Sequence, residues 1–170
     1  MQRRRFLRVS LWGSAALLGF YGLARLQRED RRLPASIAAR LRCLSGKQGR
    51  ILQAVALRIL AGADPDPAID GAHTQLLFID GYLDRLADPL KDDVRALLEL
   101  LEYSPLLRHG RRFSTLDGAQ QDQVLQGFEH SRFDLLRQGF FALKSLCCLA
   151  HYQDERSFAA IGYSGPLLRR

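Results

Sequence analysis

A chain of 170 residues, 47% hydrophobic and 25% charged, has the balance of one folded domain, which excludes a disordered or fibrous polymer. Its net charge of +7 is unevenly placed: residues 1–50 hold 12 of the 25 lysines and arginines but two of the 18 acids, leaving 13 against 16 beyond them. A basic front on a mildly acidic body argues against a nucleic-acid partner, because nucleic-acid binding lines one face of a fold with cations.

The front reads as an export leader. Residues 1–24 run from an arginine-rich start into an uncharged apolar stretch, Val9 to Ala24, the n-region and h-region of a signal. Arg3-Arg4-Arg5-Phe6-Leu7-Arg8 resembles the twin-arginine consensus, with Arg3, Arg4, Phe6 and Leu7 as its signal residues. Sixteen helical residues cover roughly 24 Å, short of the ~30 Å hydrocarbon core that a membrane anchor must cross. Gly22-Leu23-Ala24 and Ala35-Ser36-Ile37-Ala38-Ala39 both offer small residues for cleavage. The expected destination is the periplasm, reached folded through the twin-arginine translocase; an uncleaved leader would leave the chain anchored at the inner membrane.

Residues 25–44, arginine-rich with one proline, read as a linker ahead of a domain at 45–166. Ser45 and Gln48 have the spacing of a capping box, and Ile51, Leu52, Val55, Ile59 and Leu60 continue a helix to about Ala61. Gly62 and Asp64-Pro65-Asp66-Pro67 end it. A second helix is expected over 72–87. A third opens on Asp88 as N-cap with Pro89 behind it and runs to Ser104-Pro105. A polar loop leads to a fourth helix over 116–129, and Ser131 is placed to cap a fifth and longest one. In that helix Leu136, Phe140, Leu143, Cys147 and Ala150 form a buried stripe, widened by Leu135, Leu146 and Leu149. Its nearly all-round apolarity predicts a central helix or one covered by a partner. A short helix near 154–161 stops at Gly162. With no alternating run, the fold class is all-α: a single domain of about five to six helices behind the signal helix.

Catalytic chemistry is absent from the pattern. No glycine-rich phosphate loop occurs, and His73, His109, His130 and His151 have no metal-ligand spacing, so they read as surface or capping residues. Cys43, Cys147 and Cys148 have no Cys-x-x-Cys spacing; an oxidising compartment would permit Cys43 to bridge to Cys147 or Cys148. Asp64, Asp66 and Asp70 cluster in one loop, and Asp80 with Asp84 at i, i+4, without the spacing of a calcium loop. Lys144, inside the apolar run, reads as an edge lysine rather than a reactive amine. The expectation is a non-catalytic chain with no metal and no cofactor of its own; an enzyme using the Asp64–Asp70 loop or Lys144 is the least favoured reading.

Several segments together resemble the gluconate 2-dehydrogenase subunit 3 family. They are the helix at 45–61, Phe113-Ser114-Thr115-Leu116, Phe128-Glu129-His130-Ser131, Ala142-Leu143-Lys144-Ser145-Leu146, Ala150-His151-Tyr152 and the closing Ile161-Gly162-Tyr163-Ser164-Gly165-Pro166. The resemblance implies an accessory subunit. Its partner would be a FAD-dependent dehydrogenase large subunit of the glucose-methanol-choline type, with a cytochrome c subunit in many complexes. FAD and catalysis would then belong to the partner, and the small subunit would support its maturation and export. Tyr152, Gly162, Tyr163, Gly165 and Pro166 are the expected partner-binding residues. The alternative is a stand-alone periplasmic or membrane-tethered helical scaffold for another protein.

Overall fold

The computed structural model of the chain describes residues 33–61, 69–158 and 162–164. Arg3, Arg4, Phe6 and Leu7 of the expected signal lie outside them, as do Asp64, Asp66, Gly165 and Pro166. Among the described residues the only regular elements are helices: α1 (Ala35–Ala38), α2 (Gly46–Ile59), α3 (Ile69–Asp84), α4 (Asp88–Tyr103), α5 (Leu106–His109), a 3-10 turn (Phe113–Thr115), α6 (Gly118–Glu129), α7 (Asp134–Tyr152) and α8 (Glu155–Phe158).

Local chemistry sets most boundaries. The Ser45 hydroxyl accepts from the Gln48 amide while the Gln48 side chain accepts from the Ser45 amide, so the capping box is complete. Such a cap stabilises a helix by about 1 kcal/mol. Two expected caps shift. Asp88 is the first helical residue and Ala87 the N-cap, so the Asp88 carboxylate bonds Lys91 instead of the backbone. Ser131 lies two residues before the Phe133 N-cap of α7, and its hydroxyl accepts from the Phe133 amide. The loop expected after Pro105 contains α5, which stops at Gly110 with φ of 63°, a conformation that favours glycine.

The longest helix is not the central one. α2 takes that place, packed against α3, α4, α6, α7 and the 3-10 turn, with Ile51, Leu52 and Val55 fully buried. α7 packs on α2, α3 and α6 through Phe140, Leu143, Cys147 and Ala150, and Leu136 adds a half-buried edge. Its remaining face is open.

Residues 33–44, expected as the end of a linker, join the core instead. Leu33, Cys43 and Leu44 are buried there, and Ile37, Ala38 and Leu41 pack against it. Asp80 is the reason. At 1% exposure on α3, its carboxylate accepts the amides of Arg42 at 2.6 Å, Cys43 at 3.1 Å and Leu44 at 2.7 Å. Arg95 of α4 closes the strap from the other side, donating Nε and Nη2 to the Cys43 carbonyl at 3.3 and 2.8 Å. Glu102 repeats the device: fully buried on α4, it accepts the Ser114 amide at 3.0 Å and the Ser114 hydroxyl at 2.8 Å. That bond holds the turn whose Phe113 fills the core, and Gln121 Nε2 donates to the Phe113 carbonyl at 3.0 Å.

Close packing makes one glycine of α2 costly to replace. A Cβ at Gly49 would stand 3.0 Å from a methyl of Leu33, 3.0 Å from one of Leu41 and 3.5 Å from one of Leu76. A Cβ at Gly81 of α3 meets nothing within 4 Å. Gly81→Ala should therefore raise stability by about 0.5–1 kcal/mol, the helical preference for alanine. Gly49→Ala gains the same preference but overpacks the strap, and should come out about 1–2 kcal/mol less stable than the parent. Urea unfolding of the two variants checks the difference in sign.

Candidate docking face

The functional candidate is built from α7 and the turn behind it. Successive helical residues are 100° apart, so the stripe of Phe140, Leu143, Cys147 and Ala150 leaves the opposite side uncovered. On that side Phe141 is 51% exposed, Leu149 44% and Tyr152 43%, with exposed Ala142 and Ser145 among them. No charge interrupts this face from Phe141 to Tyr152. Lys144, one residue and so about 100° from Ser145, turns to the flank and pairs with Glu129 at 3.5 Å. At the N-terminal end Leu135 is 78% exposed, beside the ion pair of Arg137 with Asp134. Arg137 also donates to the Ser131 carbonyl at 2.6 Å, tying the helix start to the junction with α6.

A large apolar side chain standing in water forgoes roughly 1.5–3 kcal/mol of burial. Scattered single examples are ordinary on protein surfaces, whereas a contiguous uncharged row marks an interaction surface. Phe141, Leu149 and Tyr152 fall at spacings of eight and three, which places them in one row along the helix. Largely apolar and free of charge, the face can bind another apolar surface.

The closing turn is folded back. Gly162 has φ of 66°, in agreement with its expected role as a helix terminator. The Tyr163 amide donates to the Phe158 carbonyl at 2.9 Å, and the two rings meet edge to face at 4.9 Å. Tyr163 thus presents one side of its ring while the other rests on Phe158. Of the expected partner-binding residues, Tyr152 and Tyr163 are both half-exposed.

His151 and Cys147 belong to the buried side of α7, whereas Cys148, seven residues after Phe141 and four before Tyr152, lies half-buried along the face. His151, expected at the surface, is buried, with its ring edge to face against Tyr152 at 5.0 Å; it falls on the stripe side of α7, one residue past Ala150. All three cysteines are free thiols, so none of the bridges open to Cys43 is formed in this structure. Burial, then the neighbouring Cys148, pushes the Cys147 thiol up from its ordinary value of 9.0 to about 12. The thiolate is thus favoured in the unfolded chain. The associated stability is complete below pH 9 and is lost as pH rises towards 12, by at most about 4 kcal/mol. Denaturant unfolding between pH 8 and pH 11 should show that loss, and Cys147→Ala should flatten it.

Sequence reasoning missed the two buried carboxylates. The signal was there: Asp80 lies between Leu76 and Leu83 on the apolar side of its helix, and Glu102 four residues after Leu98. A carboxylate at such a position must be held by buried donors. Asp80 is therefore a structural anchor and not half of an open Asp80–Asp84 pair. Among the described residues, no group of three or more His, Cys, Asp or Glu side chains could hold a metal ion, and no helix is long and apolar enough to cross a membrane.

Comparison with known proteins gives one positive result. The family model described as gluconate 2-dehydrogenase subunit 3 matches residues 46–165, from the first residue of α2 to the closing turn. No curated protein and no solved structure matches the chain.

Proposed function

The chain belongs to the gluconate 2-dehydrogenase subunit 3 family, and from that premise we propose that it is a non-catalytic accessory subunit of a dehydrogenase complex. The large subunit it binds carries FAD and performs the oxidation, and the α7 face with the Tyr163 turn is where the two chains meet. The observation that carries this reading is the uncharged row of Phe141, Leu149 and Tyr152, which leaves apolar area in water until a second protein covers it. A cytochrome c subunit would join the same complex through the large subunit.

The leader gives the partnership its second purpose. The twin-arginine translocase passes folded cargo, so a flavoprotein loaded with FAD in the cytoplasm can cross bound to a chain bearing Arg3, Arg4, Phe6 and Leu7. The complex then works on the periplasmic side. Processing after Ala39 would remove Leu33 and Ile37 from the body, both engaged with the core. Cleavage therefore belongs upstream, at Gly22-Leu23-Ala24.

Co-expression with a FAD-dependent dehydrogenase large subunit tests the scheme. The two should co-purify with flavin absorbance in the large subunit. Arg3→Lys with Arg4→Lys should hold both in the cytoplasm, reducing periplasmic dehydrogenase at least tenfold. Mass spectrometry of the exported small subunit should place its N-terminus before Leu33. Normal export of the large subunit beside the double-lysine variant would sink the coupling.

A further inference from the structure

A second surface lies away from the α7 face. Between α5 and α6 an open cleft of about 200 Å³ is floored by Pro105, Val124, Phe128 and Leu136, with Arg108 and His109 on its rim. Cavities that accept a whole small-molecule ligand run to roughly 300–1,000 Å³, whereas about 150 Å³ is enough for one benzene ring. The size suits a single bulky side chain. The floor is apolar, so that side chain is too.

The charge around the cleft is one-sided. Residues 108–112 place Arg108, His109, Arg111 and Arg112 within five positions of a body that is otherwise mildly acidic. Apart from Asp93 in the first half of α4, the acids of the flanking elements are already engaged. Glu99 pairs with Lys47, and Glu102 holds Ser114. Asp117 caps α6, Asp122 takes both Nε and Nη2 of Arg58, Glu129 pairs with Lys144, and Asp134 with Arg137. Arg112 rests over the Tyr103 ring at 5.8 Å. Among the described residues the side chains of Arg108 and Arg111 have no ion pair or hydrogen bond, and Leu107 between them and α4 is fully exposed. An unneutralised arginine, Arg108, on the rim of an apolar slot complements an anion beside an apolar anchor.

We propose that this cleft binds an acidic peptide segment of another protein, which seats one bulky apolar side chain against Val124, Phe128 and Leu136 while a flanking carboxylate meets Arg108. The site goes beyond the subunit role of the α7 face, and its test needs no dehydrogenase, so either reading can fail without the other.

The probe is a fluorescein-labelled peptide, Asp-Glu-Phe-Glu-Asp, titrated by anisotropy against the full chain at low salt. It should bind at least about tenfold tighter than the same peptide with alanine at the centre, the difference expected for burying one phenylalanine. A peptide with lysines in place of the acids should bind at least about tenfold more weakly, and raising salt should narrow that gap. Arg108→Ala should remove most of the preference for the acidic peptide and leave helicity unchanged. Gly127→Leu supplies the decisive control: Gly127 lines the cleft and a Cβ there meets no atom within 4 Å, so the substitution adds apolar bulk at the cleft without a clash at its first atom. It should abolish the preference for phenylalanine over alanine. Equal binding of the two acidic peptides, absence of binding by either, equal binding of the lysine peptide, or an undiminished preference in Gly127→Leu would each overturn the proposal.

Discussion

Asp80→Ala should lower the free energy of unfolding by about 3–5 kcal/mol, a large share of the roughly 5–15 kcal/mol that a domain of this size has in total. The carboxylate, 1% exposed, accepts three backbone amides from consecutive residues, at 2.6, 3.1 and 2.7 Å, two of them buried. Hydrogen bonds to a charged group are each worth about 1.5–3 kcal/mol, and donors left buried without an acceptor cost a comparable amount. Once those amides lose their acceptor, the strap has less to hold Cys43 and Leu44 in the core. Asp80→Asn keeps Oδ1 for the Cys43 and Leu44 amides but turns an NH2 group towards the Arg42 amide, so it should fall between alanine and the parent. Asp84→Ala, one turn further along α3, is the control and should stay within about 0.5 kcal/mol of the parent. Chemical denaturation of the three variants decides the matter. Equal stability of Asp80→Ala and Asp84→Ala would mean that the strap is held by apolar packing alone.

Phe141→Glu combined with Leu149→Glu should abolish binding of the large subunit, weakening it by at least about 100-fold, while the isolated chain keeps its helicity and unfolding midpoint. Both side chains already stand in water, so the free protein loses little when they become polar. At an interface each would become a desolvated anchor, of the kind whose removal costs about 2 kcal/mol or more, and a buried unpaired carboxylate adds to that. Leu90→Glu is the matched control, an exposed leucine at the opposite end of α4 from the α5 cleft. It should bind like the parent. Pull-down of the large subunit from co-expressing cells reads the contrast. Parent-like recovery with the double variant would move the interface elsewhere on the molecule.

The smaller predictions share this logic, because each follows from what surrounds an atom rather than from residue type. Gly49 and Gly81 are both helical glycines, yet only one is enclosed by Leu33, Leu41 and Leu76. Lys47 is a similar case: burial alone would lower its pKa, but the bonds to Glu99 and to the Tyr103 hydroxyl at 3.0 Å more than offset this and raise it. That pair of bonds ties α2 to α4 on the outer side of the core.

By itself, the sequence determined the elements of this protein. Helical period, the Ser45–Gln48 box, Pro89 and Gly162 act over three or four residues, so they are legible without knowing what lies across the core. The family resemblance was legible for the same reason, since short segments such as Phe113-Ser114-Thr115-Leu116 carry it. Only the tertiary structure decided how the elements are used. α7 is apolar almost all round, and which side it buries depends on α2, α3 and α6 arriving from distant parts of the chain. The same long-range packing placed α2 rather than α7 at the centre. It also drew residues 33–44 into the core through a carboxylate 36–38 residues away. A buried charge reads locally as a surface charge until its donors are known, and those donors are set by the fold.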